Sequence, residues 1–299
     1  MVIDIPEIYP TRAYGIIRTL NFLGPTDQET LGKIVQPESV QSGGKNPNNA
    51  FKQNLKLLLK LGLVELDQKK EVLLVSKTVQ DSDLNDYEAF ISLISHHLVG
   101  KLIPEDKTNR HFFQFAKSIA WFLLLDLKDI PCNHDQFTNS FKEQLEDSGF
   151  KSYAGGVAYD QTIHWGSALG IFNSYKSSAG TGSAQSVVVV DPSCFLKRHM
   201  SKFSDEKKVV PIATWIKNLA DIFPVFPWGA ISDKVQAQKD NTLPESMSIA
   251  LERLEDEGVI SLEDQSDFEK ELVYRLPITR DLNKEGRRIS HICLNGVAI

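Results

Sequence analysis

The sequence predicts an α+β, mainly helical protein that contains three similar units in tandem. One motif recurs three times in the 299 residues: an apolar helical turn, a glycine, and two apolar residues that begin a strand. The first copy is Leu-x-x-Leu-x-x-x-Gly at 55–62, and the last copy, at 251–258, has the same spacing. A weaker middle copy at 163–170 has Gly166 in the place of the second leucine. Periods of 108 and 88 residues are too long for a solenoid repeat and indicate separate small units.

The spacing within the motif predicts the local structure of each copy. Apolar residues at i and i+3 lie on one face of a helix. A glycine just after the last helical turn can adopt the left-handed conformation that ends many helices. We therefore expect Gly62, Gly170 and Gly258 to end the third helix of their units.

Two further helices and a β-hairpin complete the first unit. Residues 12–23 have the periodicity of a helix, and Thr26 with Glu29 predicts a capping box at the start of a second helix. After the third helix, the segments 63–66 and 72–75 predict two strands joined by a charged turn.

The second and third units repeat this order, and a linking helix at 83–101 precedes them. In the second unit we predict helices at 110–127, 135–145 and 159–169, an uncharged loop at 177–185 and a buried strand at 187–190. In the third we predict a helix at 209–223, a proline-rich turn at 224–227 followed by a second helix, a third helix opened by Pro244 at 244–257, and two strands at 259–262 and 272–276. An irregular, basic tail is expected from residue 280.

Three helices followed by a β-hairpin resemble the winged-helix fold, a helix-turn-helix that carries a β wing. The resemblance implies three winged-helix-like units in tandem. Their boundaries are winged helix 1 at 1–79, a linker helix at 80–109, winged helix 2 at 110–200, winged helix 3 at 201–279 and a C-terminal tail at 280–299.

Charge is distributed unevenly among these units. The net charge of −6 argues against a chain built wholly to coat nucleic acid. Residues 12–77 contain 10 basic and 6 acidic residues, a net charge of +4. Residues 110–200 contain 8 of each, and residues 209–279 contain 6 basic and 13 acidic residues, a net charge of −7. DNA contact is therefore predicted for winged helix 1, and protein contact or dimerisation for winged helix 3.

The outer face of the third helix in winged helix 1 is the predicted DNA-binding surface. Asparagine and glutamine can pair with adenine in the major groove, and lysine contacts guanine or phosphate. Two lysines at the tip of the wing could reach the DNA backbone. The predicted contacts with double-stranded DNA are Asn48, Asn49, Lys52, Gln53, Lys56, Lys69 and Lys70. The alternative is an ordinary solvated helix face.

The corresponding helix of winged helix 3 is acidic, and DNA phosphates would repel it. Its carboxylates Glu252, Glu255 and Glu257 are therefore predicted to bind a protein partner. That partner could be another protein or a second copy of the chain, which would make a homodimer.

The sequence predicts no enzyme activity, no cofactor and no metal site. Cys132 and His134 lie close together, but no second pair of ligands has a zinc-like spacing. The GTGS segment at 180–183 lacks the Gly-Lys-Ser/Thr ending of a phosphate-binding loop. Three scattered cysteines, an acidic N-terminus and no apolar run of about 20 residues favour a cytoplasmic protein that does not cross a membrane.

The layout of the whole chain is similar to that of accessory proteins from bacterial anti-phage and DNA-modification islands. Its length and organisation resemble the DpdG family, from clusters that place 7-deazaguanine in DNA. This resemblance implies a non-enzymatic adaptor that helps an ATPase or nuclease partner engage DNA. Two alternatives stay open: a stand-alone winged-helix transcription regulator, and a scaffold whose winged helices bind only protein.

Overall fold

The computed structural model describes residues 8–37, 49–80, 84, 86–103, 110–145, 156–176, 186–204, 209–236, 241–265, 274–277 and 286–295. These residues form many helices and several small antiparallel sheets. The predicted α+β, mainly helical class is therefore confirmed.

The first unit contains the three predicted helices and the hairpin. Its elements are α1 Pro10–Leu23, α2 Gln28–Val35, α3 Asn49–Lys60, β1 Val64–Asp67 and β2 Val72–Val75. The two strands pair in antiparallel fashion, with Val64 opposite Val75. The buried face of this hairpin packs on α1, and α3 leads directly into it.

The start of α2 differs from the predicted capping box. Asp27 is the N-cap, and its carboxylate accepts the backbone N–H of Thr30 at 2.9 Å. Thr26 instead exchanges two backbone hydrogen bonds with Leu73 of β2, at 2.8 and 3.0 Å. This bridge ties the hairpin to the helices. A local capping pattern could not reveal it, because its two partners lie far apart in the sequence.

The linking region and the second unit lie close to their predicted positions. Helix α5 Tyr87–Leu98 lies within the predicted linking helix at 83–101, and a short helix, α4 Lys77–Gln80, precedes it at the end of the first unit. The second unit contains α6 Arg110–Leu124, α7 His134–Leu145, α8 Gly156–Leu169, β3 Phe172–Lys176 and β4 Ser186–Val190, and α9 Ser193–His199 follows it. Strands β3 and β4 form an antiparallel hairpin. The predicted loop at 177–185 lies outside the described residues.

The third unit has the predicted long helix but a different sheet. Its elements are β5 Val209–Pro211, α10 Ile212–Ile222, α11 Ser232–Val235, α12 Glu245–Asp256, β6 Ile260–Glu263, β7 Tyr274–Leu276, β8 Arg287–Ile289 and β9 His291–Leu294. Strand β9 lies between β5 and β6, and β7 pairs with β8. The predicted pairing of β6 with β7 and the irregular tail are therefore wrong. Ile292 and Leu294 of the tail are buried in this sheet, which explains why the tail is ordered there.

The three glycines of the repeated motif end the third helix of their units, as predicted. Gly62, Gly170 and Gly258 have φ angles of +67°, +82° and +69°. In each unit the glycine N–H donates to the carbonyl three residues earlier, and the next N–H donates to the carbonyl five residues earlier, at 2.8–3.1 Å. This pair of bonds is the Schellman motif. The residue after each glycine is apolar and buried, which anchors the turn to the core.

The middle copy departs from the motif for a packing reason. A Cβ atom added to Gly166 would lie 2.3 Å from Cδ2 of Phe172. The phenyl ring of Phe172, which is 2% exposed, therefore occupies the space that a leucine side chain fills in the other two units.

Alanine substitutions of these glycines are expected to lower the free energy of unfolding by unequal amounts. At Gly62 and Gly258 an added Cβ meets no atom within 4 Å, so the loss is that of the left-handed conformation, about 1–2 kcal/mol. At Gly170 the Cβ would also lie 3.0 Å from the Cβ of Cys194, and the loss is larger. Urea denaturation measures these losses. The control Gly15→Ala, in the interior of α1, should instead gain about 0.5–1 kcal/mol; equal losses at the three motif glycines would contradict the packing argument.

The units pack against one another and share one continuous apolar core. Buried apolar side chains from α1 through β9 form a single cluster. Helix α6 contacts α5 and α8 on one side and α11 and α12 of the third unit on the other. Polar bonds cross the same junction: Ser246 donates its hydroxyl to the carbonyl of Leu123 at 2.7 Å, and the N–H of Leu127 donates to the Glu245 carboxylate at 2.6 Å. The units on either side of the predicted boundaries are therefore packed against each other.

Candidate nucleic-acid interface

Helix α3 presents an apolar face to the core and a polar face to solvent. Phe51, Leu55 and Leu58 are buried, and α3 packs on α1. Lys52 and Lys56 are exposed. Because residues four apart are neighbours on a helix surface, the two ammonium groups lie on one side of α3. Both predicted lysines of this helix are therefore accessible to solvent.

The amide side chains predicted to read bases are bonded to each other. Nε2 of Gln53 donates to Oδ1 of Asn49 at 3.2 Å. Gln53 is half-buried, and its Oε1 atom has no hydrogen-bond partner among the described residues. The Gln53 amide has a second N–H group that does not bond to Asn49. Base reading by these amides stays a prediction. Asn48 lies outside the described residues.

The wing carries its two predicted lysines at an ordered tip. The carboxylate of Asp67 accepts the backbone N–H groups of Lys69 and Lys70 at 3.0 and 3.3 Å. Glu71 closes the turn with a left-handed φ of +54°. The backbone of the tip is thus held by bonds of its own, and both lysine side chains are exposed.

The third helix of the second unit is covered on several sides. Helix α8 packs against α1, α5, α6 and α7. Trp165 at its centre is fully buried. The exposed His164 lies edge-on against the ring of Tyr9, with the ring centroids 5.3 Å apart. The exposed positions of α8 are Val157, Asp160 and His164, so α8 presents no lysine pair like that of α3.

The glutamates predicted to bind a partner form ion pairs within the chain. Nη1 of Arg287 lies 3.4 Å from Oε1 of Glu252, and Nη2 lies 3.0 Å from Oε1 of Glu255. The hydrogen bond that Arg287 donates to the Glu255 carboxylate raises the pKa of Arg287 above its ordinary value. Glu257 lies 2.9 Å from Nζ of Lys197. Internal cations already compensate these carboxylates, and their docking role stays a prediction.

The sequence placed Arg287 in an irregular tail, so its part in this cluster was missed. Within the described ranges, no group of three His, Cys, Asp or Glu side chains is close enough to hold a metal ion. None of the helices found there is long and apolar enough to cross a membrane. The predicted absence of enzyme activity is not tested by these observations.

The chain is therefore an α+β protein of several units, in which helix α3 and the β1–β2 hairpin of the first unit display accessible lysines. The chain belongs to the DpdG-like family, which residues 1–268 match. The predicted resemblance is confirmed, and membership associates the chain with DNA-modification systems of the DpdG type. Searches of curated proteins and of solved structures found no match. The winged-helix description of the units stays an interpretation that is consistent with the order of their elements.

Proposed function

We propose that this protein is a non-enzymatic DNA-binding adaptor of a bacterial DNA-modification or anti-phage complex, and that it acts in the cytoplasm. The proposal rests on two pairs of exposed lysines in the first unit. One pair lies on α3, and the other lies at the tip of the hairpin that follows α3. A helix that fits the major groove and a basic wing that reaches the backbone together make a duplex-binding surface.

The distribution of charge supports the role of an adaptor. Double-stranded DNA attracts the first unit, with its net charge of +4, and repels the third unit, with its net charge of −7. A duplex bound at α3 would therefore leave the third unit facing a protein partner, such as an ATPase or a nuclease.

Replacing the lysine pairs by alanine is expected to weaken binding to every duplex sequence alike. The variants are Lys52→Ala with Lys56→Ala, and Lys69→Ala with Lys70→Ala. If each lysine contacts one phosphate, each double variant reduces the steepness of the negative slope of log K against log salt by about 1.8. Fluorescence anisotropy with a labelled duplex at several salt concentrations measures both effects.

Lys128→Ala with Lys217→Ala is the matched control, because it removes the same charge from exposed positions in the second and third units. This control should bind duplex DNA with the wild-type salt slope. If both lysine pairs can be removed without loss of duplex binding, the first unit is not the DNA-binding surface, and a scaffold that binds only protein becomes the better reading.

A further inference from the structure

A cavity of about 290 Å³ lies outside the proposed DNA surface, where the end of α5 and the start of α6 meet α10 and α11. Its floor contains the buried residues Ile103, Ala220 and Ile231. The half-buried rings of Phe113 and Trp228 form its walls. The volume is close to the lower limit for pockets that bind small molecules, about 300 Å³.

Charged side chains surround the mouth of this cavity. Lys101, Lys234 and Asp221 line it and are exposed. Nζ of Lys234 lies 5.1 Å from the centroid of the Phe113 ring, which keeps the ammonium group beside an aromatic wall. Two cations and one carboxylate favour a ligand with a negative group, although the adjacent third unit is strongly acidic.

The backbone at Trp228 is strained. Its φ of +63° lies in the left-handed region, which is rare for a bulky residue. The turn is held by the carbonyl of Pro224, which accepts the N–H groups of Ile231 and Ser232 at 3.0 Å. A Cβ at Gly229 would lie 2.5 Å from the same oxygen, so the residue after Trp228 has to be glycine. A strained position that keeps a large ring on a cavity wall points to a use for that ring.

We propose that this cavity binds a nucleotide, with its base against Trp228 and its phosphate at Lys101 and Lys234. Bases stack on aromatic side chains in a sequence-tolerant way, and ammonium groups bind phosphate as point charges. Asp221 can accept hydrogen bonds from the N–H groups of a base, and it repels ligands that are anionic throughout. A free mononucleotide and the terminal nucleotide of a strand both present this chemistry.

Titration of the full chain with GMP, AMP and inorganic phosphate tests the proposal. Calorimetry and tryptophan fluorescence are suitable because Trp121, Trp165 and Trp215 are buried and Trp228 is partly exposed. We expect a mononucleotide to bind and quench the fluorescence, and inorganic phosphate to bind far more weakly. Lys101→Ala with Lys234→Ala should weaken mononucleotide binding by roughly tenfold or more.

Trp228→Gly provides an independent variant, because glycine tolerates the positive φ while the ring is lost. We expect it to remain folded by circular dichroism and to lose mononucleotide binding by calorimetry, which does not depend on the Trp228 fluorophore. A 5′-phosphorylated single-stranded oligonucleotide that displaces the mononucleotide assigns the site to strand ends, whereas one that does not displace it assigns the site to free nucleotides. The absence of binding by any nucleotide at millimolar concentration, or full affinity in the double lysine variant, would overturn the proposal.

The two surfaces can be tested separately. The lysine variants of α3 and of the wing should keep mononucleotide binding, and the cavity variants should keep duplex binding. Failure of one proposal therefore leaves the other standing.

Discussion

Replacement of Arg253 by methionine is expected to lower the free energy of unfolding by about 2–3 kcal/mol. Nη1 of Arg253 lies 2.6 Å from Oδ2 of Asp191, whose side chain is only 3% exposed. This bond and the charge of Asp191 raise the pKa of Arg253 above its ordinary value. Removing the arginine leaves a buried carboxylate without its cation, which costs about 3–5 kcal/mol in a fully buried pair. Because Arg253 is 48% exposed, water screens part of the interaction and the smaller range applies.

Urea denaturation of a double-mutant cycle measures this coupling between the second and third units. Asp191→Asn in the Arg253→Met background should recover part of the loss, because the amide carries no charge and can keep the bond from the N–H of Ser193. The exposed Arg18→Met is the matched control and should change stability by less than about 0.5 kcal/mol. A loss at Arg253 as small as that at Arg18 would show that the ion pair does not hold the units together.

Acidification from about pH 6.5 to pH 4.5 is expected to lower the free energy of unfolding by on the order of a few kcal/mol through His96 and His199 alone. Burial, followed by the charges of Lys202 and His97, lowers the pKa of His96 to about 4. Burial, followed by the charge of Lys202, lowers the pKa of His199 to about 2. Both rings are therefore neutral in the folded chain at pH 7.

Stability falls on acidification because the unfolded chain binds protons more readily than the folded chain does. Below the ordinary histidine pKa of 6.5, the unfolded chain binds a proton at each histidine while the folded chain does not. Each histidine then lowers stability by about 1.4 kcal/mol per pH unit, until the pH reaches its folded pKa. The stability is thus fully present above about pH 6.5. The His96 contribution is lost as the pH falls toward 4, and the His199 contribution continues to fall toward pH 2.

Geometry explains why protonation is unfavourable here. The ammonium group of Lys202 donates to Nε2 of His96 at 2.7 Å, so that nitrogen cannot also carry a proton. His199 lies between Phe195 and Phe223, with ring centroids 4.5 and 4.8 Å away. Neither of its ring nitrogens has a hydrogen-bond partner among the described residues.

His199→Phe separates this explanation from general acid denaturation. The variant should be more stable than the wild type at pH 7, because it removes two unpaired polar atoms from an aromatic pocket. It should also remove about half of the histidine contribution to the pH slope. Urea unfolding at several pH values between 7.5 and 4.5 measures both, with His134→Gln at the surface as the control. An unchanged slope in His199→Phe would mean that His199 takes up its proton in the folded state.

The amino-acid sequence was sufficient to predict features that depend on short-range contacts. The Schellman bonds at Gly62, Gly170 and Gly258 join residues at most five positions apart, so their pattern is visible in the sequence. The hairpin of the first unit and the buried face of α3 were predicted for the same reason, because a turn and a helical period are local features. The exposed positions of Lys52, Lys56, Lys69 and Lys70 follow from that local geometry.

Only the tertiary structure decided the features that depend on distant partners. Strand β9 lies between β5 and β6, and Arg287 forms ion pairs with Glu252 and Glu255. Helix α8 is covered by several other helices. Each of these contacts joins segments that are far apart in the sequence, so a local pattern cannot predict it. Helical periodicity predicts which apolar face of a helix is buried. Whether another part of the chain also covers the opposite face depends on how the units pack. A carboxylate on a helix looks free in the sequence until the fold brings a cation to it. The accessibility of α3 and the covering of α8 were therefore set by the packing of the three units.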